Sequence, residues 1–190
     1  GVDRENFAYD ADVIYHEYTH AVVENVNTMD FSFESDGINY LPVALNEGNA
    51  DTFSTLLSGD PELGEYVGGW GGSIRRLDGD KECPEDQIGL YHDDGMLWGQ
   101  SAWQLRQILG EDATAEEERA ALLWDVLNMA DPGEGFSSFA EVAVEVARTR
   151  HGDETAELVR QVMDERGLFT CGRVVDLAEG QWRDGINLSA

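Results

Sequence analysis

The chain has 190 residues, of which 42% are hydrophobic, and this is enough apolar material for one domain over residues 1–190. Its formal net charge is −27, with 39 acidic against 12 basic residues, so a nucleic acid backbone would be repelled and is excluded as a partner. The sequence has no apolar run of the roughly 18 residues that a membrane-spanning helix needs, and it shows no charged-then-apolar leader, so we expect no membrane partner.

The first strong pattern is a predicted helix over residues 11–27, which contains His16-Glu17-Tyr18-Thr19-His20. Residues four apart lie on one face of a helix, so His16 and His20 can offer two imidazoles to one metal ion, with Glu17 beside them as a base. A helix is also indicated by a run without Gly or Pro that carries the apolar residues Val13, Ile14, Ala21, Val22 and Val26. Since this five-residue pattern also arises by chance, a third ligand is needed to distinguish a metal site from a chance occurrence.

A second helix is predicted from about Pro42 to the turn at Gly59, after a polar loop with a short strand around Met29 to Phe33. It carries Glu47 and Asp51, which are again four residues apart. One carboxylate can bind the metal ion while the other accepts a hydrogen bond from a ligating histidine. Two facing helices would complete the site.

The remainder of the chain is predicted to be mainly helical. Residues 64–90 hold seven glycines and resemble a long surface loop. Further helices are expected over 96–109, 120–129, 139–149 and 154–166. Two of these are expected to start with capping boxes, formed by Thr114 with Glu117 and by Ser138 with Glu141. No periodicity is evident after residue 170.

The two cysteines, Cys83 and Cys171, are too few for a disulfide scaffold, and neither has a neighbour at metal-ligand spacing. One long-range disulfide and two free thiols are both compatible with the sequence, since sequence alone does not give their separation.

The pattern H-E-x-x-H followed by N-E-x-x-x-D resembles the gluzincin metallopeptidases, in particular the thermolysin-like and fungalysin-like families. It is formed here by His16, Glu17, His20, Asn46-Glu47 and Asp51. The resemblance implies that His16, His20 and Glu47 bind zinc and that Asp51 orients a ligand imidazole. The stretch from His20 to Glu47 is longer than in thermolysin itself, which places an insertion in the intervening loop.

The resemblance continues downstream and implies further roles. His92, in Tyr91-His92-Asp93-Asp94-Gly95, matches a histidine that donates to the oxyanion of the tetrahedral intermediate, and Asp86 is a candidate to orient it. Arg75 matches an arginine that binds a substrate carbonyl, and Tyr40 could serve as an oxyanion-binding tyrosine. A surface role for His92 and a surface salt bridge for Arg75 are the alternatives.

The resemblance also implies a calcium site. Its carboxylates would be Asp12, Asp60, Glu62 and Glu65, and hard oxygen ligands suit Ca2+. Ser58 stands where the double-calcium pattern has a carboxylate, so a single calcium ion or a vestigial loop is expected.

The expected fold is therefore mainly α, the zincin-like helical C-terminal subdomain of a gluzincin with long glycine-rich loops and at most a small β element. The expected function is a secreted, zinc-dependent endopeptidase that acts on peptide or protein substrates, with Glu17 as the general base. The alternative is a degenerate, zinc-stabilised domain that binds peptides or partners without hydrolysis. The family's strand-rich N-terminal subdomain, whose edge strand holds the substrate, has no counterpart ahead of the first helix. We therefore expect weaker cleavage than in a protein that supplies this subdomain.

Overall fold

The computed structural model of the chain describes residues 6–34, 37–69, 72–110, 112–177, 180–183 and 186–187. Within them the chain is mainly helical, as predicted. The α-helices are α1 (Ala11–Val26), α2 (Leu41–Ser58), α3 (Glu65–Gly68), α4 (Tyr91–Leu109), α5 (Ala113–Met129), α6 (Phe136–His151) and α7 (Asp153–Glu165). Short 3-10 helices cover Phe7–Tyr9 and Leu168–Thr170.

The described strands are short and form three small antiparallel sheets. The first is a hairpin of β1 (Ser32–Glu34) and β2 (Gly37–Asn39), and the second pairs β3 (Glu62–Leu63) with β4 (Arg75–Arg76). The third has the order β5-β6-β7 and consists of Val174–Leu177, Gly180–Arg183 and Ile186–Asn187. The strand expected around Met29 to Phe33 thus begins later, at Ser32. The final segment contains strands that sequence periodicity did not indicate.

Helix α1 buries a different face from the one that its apolar residues predicted. Its buried residues are His16, Thr19 and Val23, whereas Ile14 is 49% exposed. The imidazole of His16 lies 2.7 Å from the Asp51 carboxylate of α2, so this polar ring has a hydrogen-bond partner where it is buried. The helix starts at Asp10, whose carboxylate accepts hydrogen bonds from the backbone N–H groups of residues 12 and 13.

Helices α2 and α4 cross at very close range, and two glycines permit this. A Cβ atom on Gly48 would lie 2.5 Å from the carbonyl oxygen of Gly95, and a Cβ atom on Gly95 would lie 2.7 Å from the carbonyl oxygen of Ala44. Each glycine follows a predicted site residue, since Gly48 is next to Glu47 and Gly95 is three residues after His92. The crossing therefore brings the start of α4 over the Glu47 turn of α2.

Helices α5, α6 and α7 pack with α2 and α4 around the apolar core, whose largest fully buried side chains include Trp98, Phe136 and Phe139. The two predicted capping boxes are wrong. Asp112 caps α5 through the N–H groups of Thr114 and Ala115. Helix α6 starts after Gly135, with no side-chain cap, and the Ser138 hydroxyl donates to the Gly135 carbonyl.

Cys83 and Cys171 form a disulfide, which settles the question that the sequence left open. The bond joins the loop before α4 to the segment after α7, and both half-cystines are buried. The glycine-rich stretch 64–90 is therefore tied to the helical core. It also contains α3, β4 and the buried Leu77.

Candidate metal centre

Three side chains from α1 and α2 converge on one point. The Nε2 atoms of His16 and His20 are 3.0 Å apart, and they lie 3.3 Å and 3.7 Å, respectively, from Oε2 of Glu47. His16 and Glu47 are buried, and His20 is half-buried. Among the described residues, only this group brings three such ligand atoms within 4.8 Å of one another. The geometry is that of a site with two imidazoles and one carboxylate.

Hydrogen bonds on the outer side of each ring fix which nitrogen faces inward. Nδ1 of His16 lies 2.7 Å from Oδ1 of Asp51, and Nδ1 of His20 lies 2.8 Å from Oδ1 of Asn46. The Asn46 amide donates in turn to the carbonyl of Met29, so its oxygen is left to accept. Nδ1 is therefore the donor in both rings, and Nε2, which faces the centre, is the atom left to bind a metal ion, as in histidine metal ligands.

The charges around His16 favour a cation at this centre. Burial favours the neutral imidazole, but the carboxylates of Asp51 and Glu47 outweigh burial and raise the pKa of His16 to about 9. Burial likewise opposes ionisation of Glu47, yet its close contact with His16 and the charges of the three histidines lower the pKa of its carboxyl. Without a metal ion, a proton on His16 supplies the positive charge.

The residues present fit a metal ion. Oε2 of Glu47 is buried and receives no hydrogen bond from any described residue. Such an atom is costly to leave without a partner, and it faces two imidazole nitrogens. Two imidazole nitrogens and one carboxylate oxygen are a ligand set typical of catalytic zinc sites, in which water or substrate takes the fourth position.

Glu17 and an apolar cavity adjoin the triad. The cavity has a volume of about 280 Å³, and Glu17, His16, Arg75 and His92 lie on its wall. Its remaining lining is largely apolar and consists of Phe7, Val13, Leu63, Gly64 and Ile74, with Asp12. Glu17 is exposed to solvent, so its carboxylate can reach a water molecule or a substrate in the cavity. The structure thus brings the predicted base to the predicted metal site.

His92 lies in the first turn of α4 and borders the same cavity. Its Nε2 atom is 3.3 Å from Oε1 of Glu47, and its side chain is half exposed. The Asp86 carboxylate instead accepts a hydrogen bond from the backbone N–H of Glu82, so the structure does not support Asp86 as the partner of His92.

Arg75 contacts Asp51 with two hydrogen bonds, of 2.7 Å from Nε and 2.8 Å from Nη2. The arginine thereby holds the carboxylate that orients His16, and it also lines the cavity. Its side chain is 17% exposed, so the surface salt bridge considered as an alternative does not describe it.

The resemblance implied that Tyr40 binds the oxyanion, but Tyr40 is not among the residues that line the cavity. It is buried, and its hydroxyl donates to the Asp94 carboxylate at 3.0 Å and accepts from the Gln87 amide at 3.2 Å. The tyrosine stands immediately before α2. This contact therefore joins α2 to the start of α4, and the structure offers no support for a substrate contact by Tyr40.

The four expected calcium ligands are brought together only in part. Asp12 and Glu65 are neighbours, and the pKa of Glu65 is raised because its protonated carboxyl can donate a hydrogen bond to Asp12, with burial and the charges of Asp12 and Asp60 acting in the same direction. Glu62 pairs instead with Arg76 across the β3–β4 sheet. Asp60 caps its own turn by accepting from the N–H of Glu62.

Two further residues matter to the site although sequence patterns assigned them no role. Asn46, known from the sequence only as part of the N-E-x-x-x-D pattern, orients His20. Asp94 is fully buried near His92 and holds the backbone ahead of α4. An aspartate two residues after a histidine carries no recognisable spacing signal, so only the structure reveals it.

The fold of the chain is similar to that of a solved metalloproteinase. The structure described as a precursor of protealysin, a metalloproteinase from Serratia proteamaculans, matches with a TM-score of 0.70 and 20% sequence identity. The match covers 85% of this chain and 58% of that chain. No protein-family model and no curated protein sequence matches. The chain has a zincin-like metalloprotease fold and places a candidate metal triad between α1 and α2.

Proposed function

We propose that the chain is the catalytic helical part of a zinc-dependent endopeptidase of the gluzincin kind. The observation that carries this proposal is the buried Glu47 oxygen without a hydrogen-bond donor, opposite two imidazole nitrogens held in the ligand tautomer. When bound, zinc supplies a Lewis acid that polarises a peptide carbonyl and lowers the pKa of water. The remaining chemistry is performed by side chains of this protein.

Glu17 acts as the general base. It follows a ligand residue directly in α1 and lies on the wall of the cavity, so its carboxylate can take a proton from the attacking water and pass it to the leaving nitrogen. A metal site that only stabilised the fold would need neither this base nor an open position, and so the non-catalytic alternative is not favoured.

His92 stabilises the negative charge that develops on the carbonyl oxygen. Its Nε2 atom lies within 3.3 Å of the Glu47 carboxylate and its ring is half exposed, so a substrate next to Glu47 would meet an N–H donor. Donors placed where charge develops commonly contribute several kcal/mol to lowering a barrier.

The cavity beside Glu17 indicates which substrates fit. Phe7, Val13, Leu63 and Ile74 give it an apolar wall, and a volume of about 280 Å³ accommodates one large side chain. We therefore expect peptide substrates with a bulky apolar residue next to the cleaved bond. Arg75, fixed by Asp51, can still present its remaining N–H groups to a substrate carbonyl.

The proposed place of action is outside the cell. The buried Cys83–Cys171 disulfide supports this, since such bonds persist in oxidising compartments. No helix of the described residues is long and apolar enough to cross a membrane. We also propose one calcium ion at Asp12 and Glu65, because the interaction of these two carboxyl groups raises the pKa of Glu65 and a cation would relieve their repulsion.

The decisive experiment combines metal analysis with peptide cleavage by the zinc-loaded protein. Glu17→Gln keeps the side-chain shape and all three ligands, so zinc should remain while turnover of an apolar fluorogenic peptide falls by roughly two or more orders of magnitude. Glu24→Gln, which removes an exposed glutamate from the same helix, is the matched control and should retain activity. Unchanged turnover in Glu17→Gln would refute the mechanism, and absence of cleavage by the parent protein would refute the peptidase assignment.

A further inference from the structure

Asp94 is a fully buried carboxylate in the first turn of α4. It accepts hydrogen bonds from the backbone N–H groups of Ile88 at 2.8 Å and Gly89 at 3.0 Å, and from the Tyr40 hydroxyl at 3.0 Å. The three donors are uncharged. Burial raises the pKa of Asp94, and the hydrogen bonds from Ile88, Tyr40 and Gly89 oppose that rise.

Each of these bonds restrains the surroundings of His92. The bonds to Ile88 and Gly89 fold the end of the preceding loop back onto the first turn of α4, so that His92 is enclosed between the two restrained points. Asp94 is buried and His92 is exposed, which places the two side chains on opposite sides of that turn. The carboxylate thus restrains the backbone on both sides of His92, from the face of the turn opposite to the His92 side chain.

The bond from Tyr40 adds a restraint between helices. Tyr40 is the residue before α2, and α2 carries Glu47, a member of the metal triad. Asp94 therefore connects the start of the helix that bears His92 with the start of the helix that bears Glu47. The Nε2 atom of His92 and the Oε1 atom of Glu47, which are 3.3 Å apart, belong to the two helices that Asp94 connects.

We propose that Asp94 is a positioning residue that sets His92 relative to the metal triad, an inference that rests on the proposed function. It does not touch the substrate. Its effect arises because a displacement of about 1 Å in a catalytic group can cost on the order of a hundredfold in rate.

The test compares Asp94→Asn and Tyr40→Phe with Glu85→Gln, an exposed change of the same charge in the same loop. In Asp94→Asn an amide N–H would face a backbone N–H donor, and in Tyr40→Phe only one of the three bonds is lost. We expect kcat on a peptide to fall at least about tenfold in Asp94→Asn and less in Tyr40→Phe, with KM and zinc content unchanged, because a misplaced transition-state donor lowers kcat alone.

A double-mutant cycle separates positioning from general loss of structure. If Asp94 acts through His92, Asp94→Asn should cause little further loss in a His92→Ala background. An equal fold-loss in both backgrounds, or an unchanged kcat in Asp94→Asn, would overturn the proposal. Should Asp94→Asn fail to fold, the same cycle with Tyr40→Phe decides.

A measurement without substrate keeps this inference separate from the proposed function. Asp94→Asn should accelerate hydrogen exchange at the amides of Ile88 and Gly89 and shift the ring resonances of His92, while those of His151 stay unchanged. Unaltered His92 resonances would overturn the positioning role even if the protein is a peptidase. Altered resonances in a parent protein that cleaves no peptide would refute the peptidase assignment and leave the positioning of the His92 ring in place.

Discussion

Nδ1 of His16 lies 2.7 Å from Oδ1 of Asp51, and the same carboxylate is held on its other side by Arg75. The imidazole is therefore fixed in both tautomer and direction by residues from α2 and β4. An imidazole held in this way can bind a metal ion without first reorienting. A carboxylate that accepts a hydrogen bond from the imidazole also raises the basicity of the ring as a ligand.

Replacing Asp51 by Asn should weaken metal binding and leave the fold intact. An amide offers one acceptor where the carboxylate serves both His16 and Arg75, and it carries no charge. We expect zinc affinity to fall by about 10- to 100-fold, measured by competition with a chromophoric chelator. Asp78→Asn, in a surface pair with Arg76, is the control. Equal zinc affinity in the two variants would show that Asp51 does not orient the ligand.

The metal content should follow the triad. The parent protein is expected to bind about one zinc ion per chain at neutral pH, because His16, His20 and Glu47 supply three ligands. His20→Ala should lose that ion on dialysis, whereas His151→Ala, at the end of α6, should keep it. Undiminished zinc in His20→Ala by elemental analysis would eliminate the site.

The metal-free protein should lose stability as the pH rises. The folded-state pKa of His16 is about 9, against an ordinary value of 6.5, so its protonation stabilises the fold fully below pH 6.5 and the contribution disappears as the pH rises through 9. Urea denaturation of chelator-treated protein at several pH values measures this slope. It should be reduced in His16→Gln, and an identical slope in that variant would contradict the assignment.

Calcium should raise the thermal stability of the zinc-loaded protein. An ion that binds only the folded state shifts unfolding by mass action, so the Tm should rise between chelator-free buffer and millimolar calcium. Asp12→Asn and Glu65→Gln should abolish the shift, whereas Glu62→Gln should not, since Glu62 pairs with Arg76. An unchanged Tm in the parent protein would leave only a vestigial loop.

The two pairs of residues at the candidate metal centre were predictable because a helix repeats its faces every three to four residues. That rule places His16 with His20, and Glu47 with Asp51, wherever the two helices lie. The same rule misjudged the buried face of α1, because Val13 and Ile14 lie toward the cavity and solvent while polar groups are buried in mutual contact. Apolar residues that line an open cavity and those of a core look alike in sequence.

Tyr40 and Asp94 show what sequence patterns could not supply. Their contact joins residues 54 positions apart, and it depends on the distance between α2 and α4 where the two helices cross. No local preference encodes that distance. The roles of Arg75 and His92, by contrast, were suggested by resemblance, and the structure places both at the cavity wall.

The bare backbone contact between Gly48 and Gly95 has a consequence for how this protein can vary. Substitutions at exposed positions of α2 and α4 are expected to change stability little, but a single methyl group at either glycine would force the two helices apart. His92 would then be carried away from Glu47 even though every chemically active residue remained in the sequence. An inactive relative of this chain could thus retain all the motif residues and differ only at one of these two glycines.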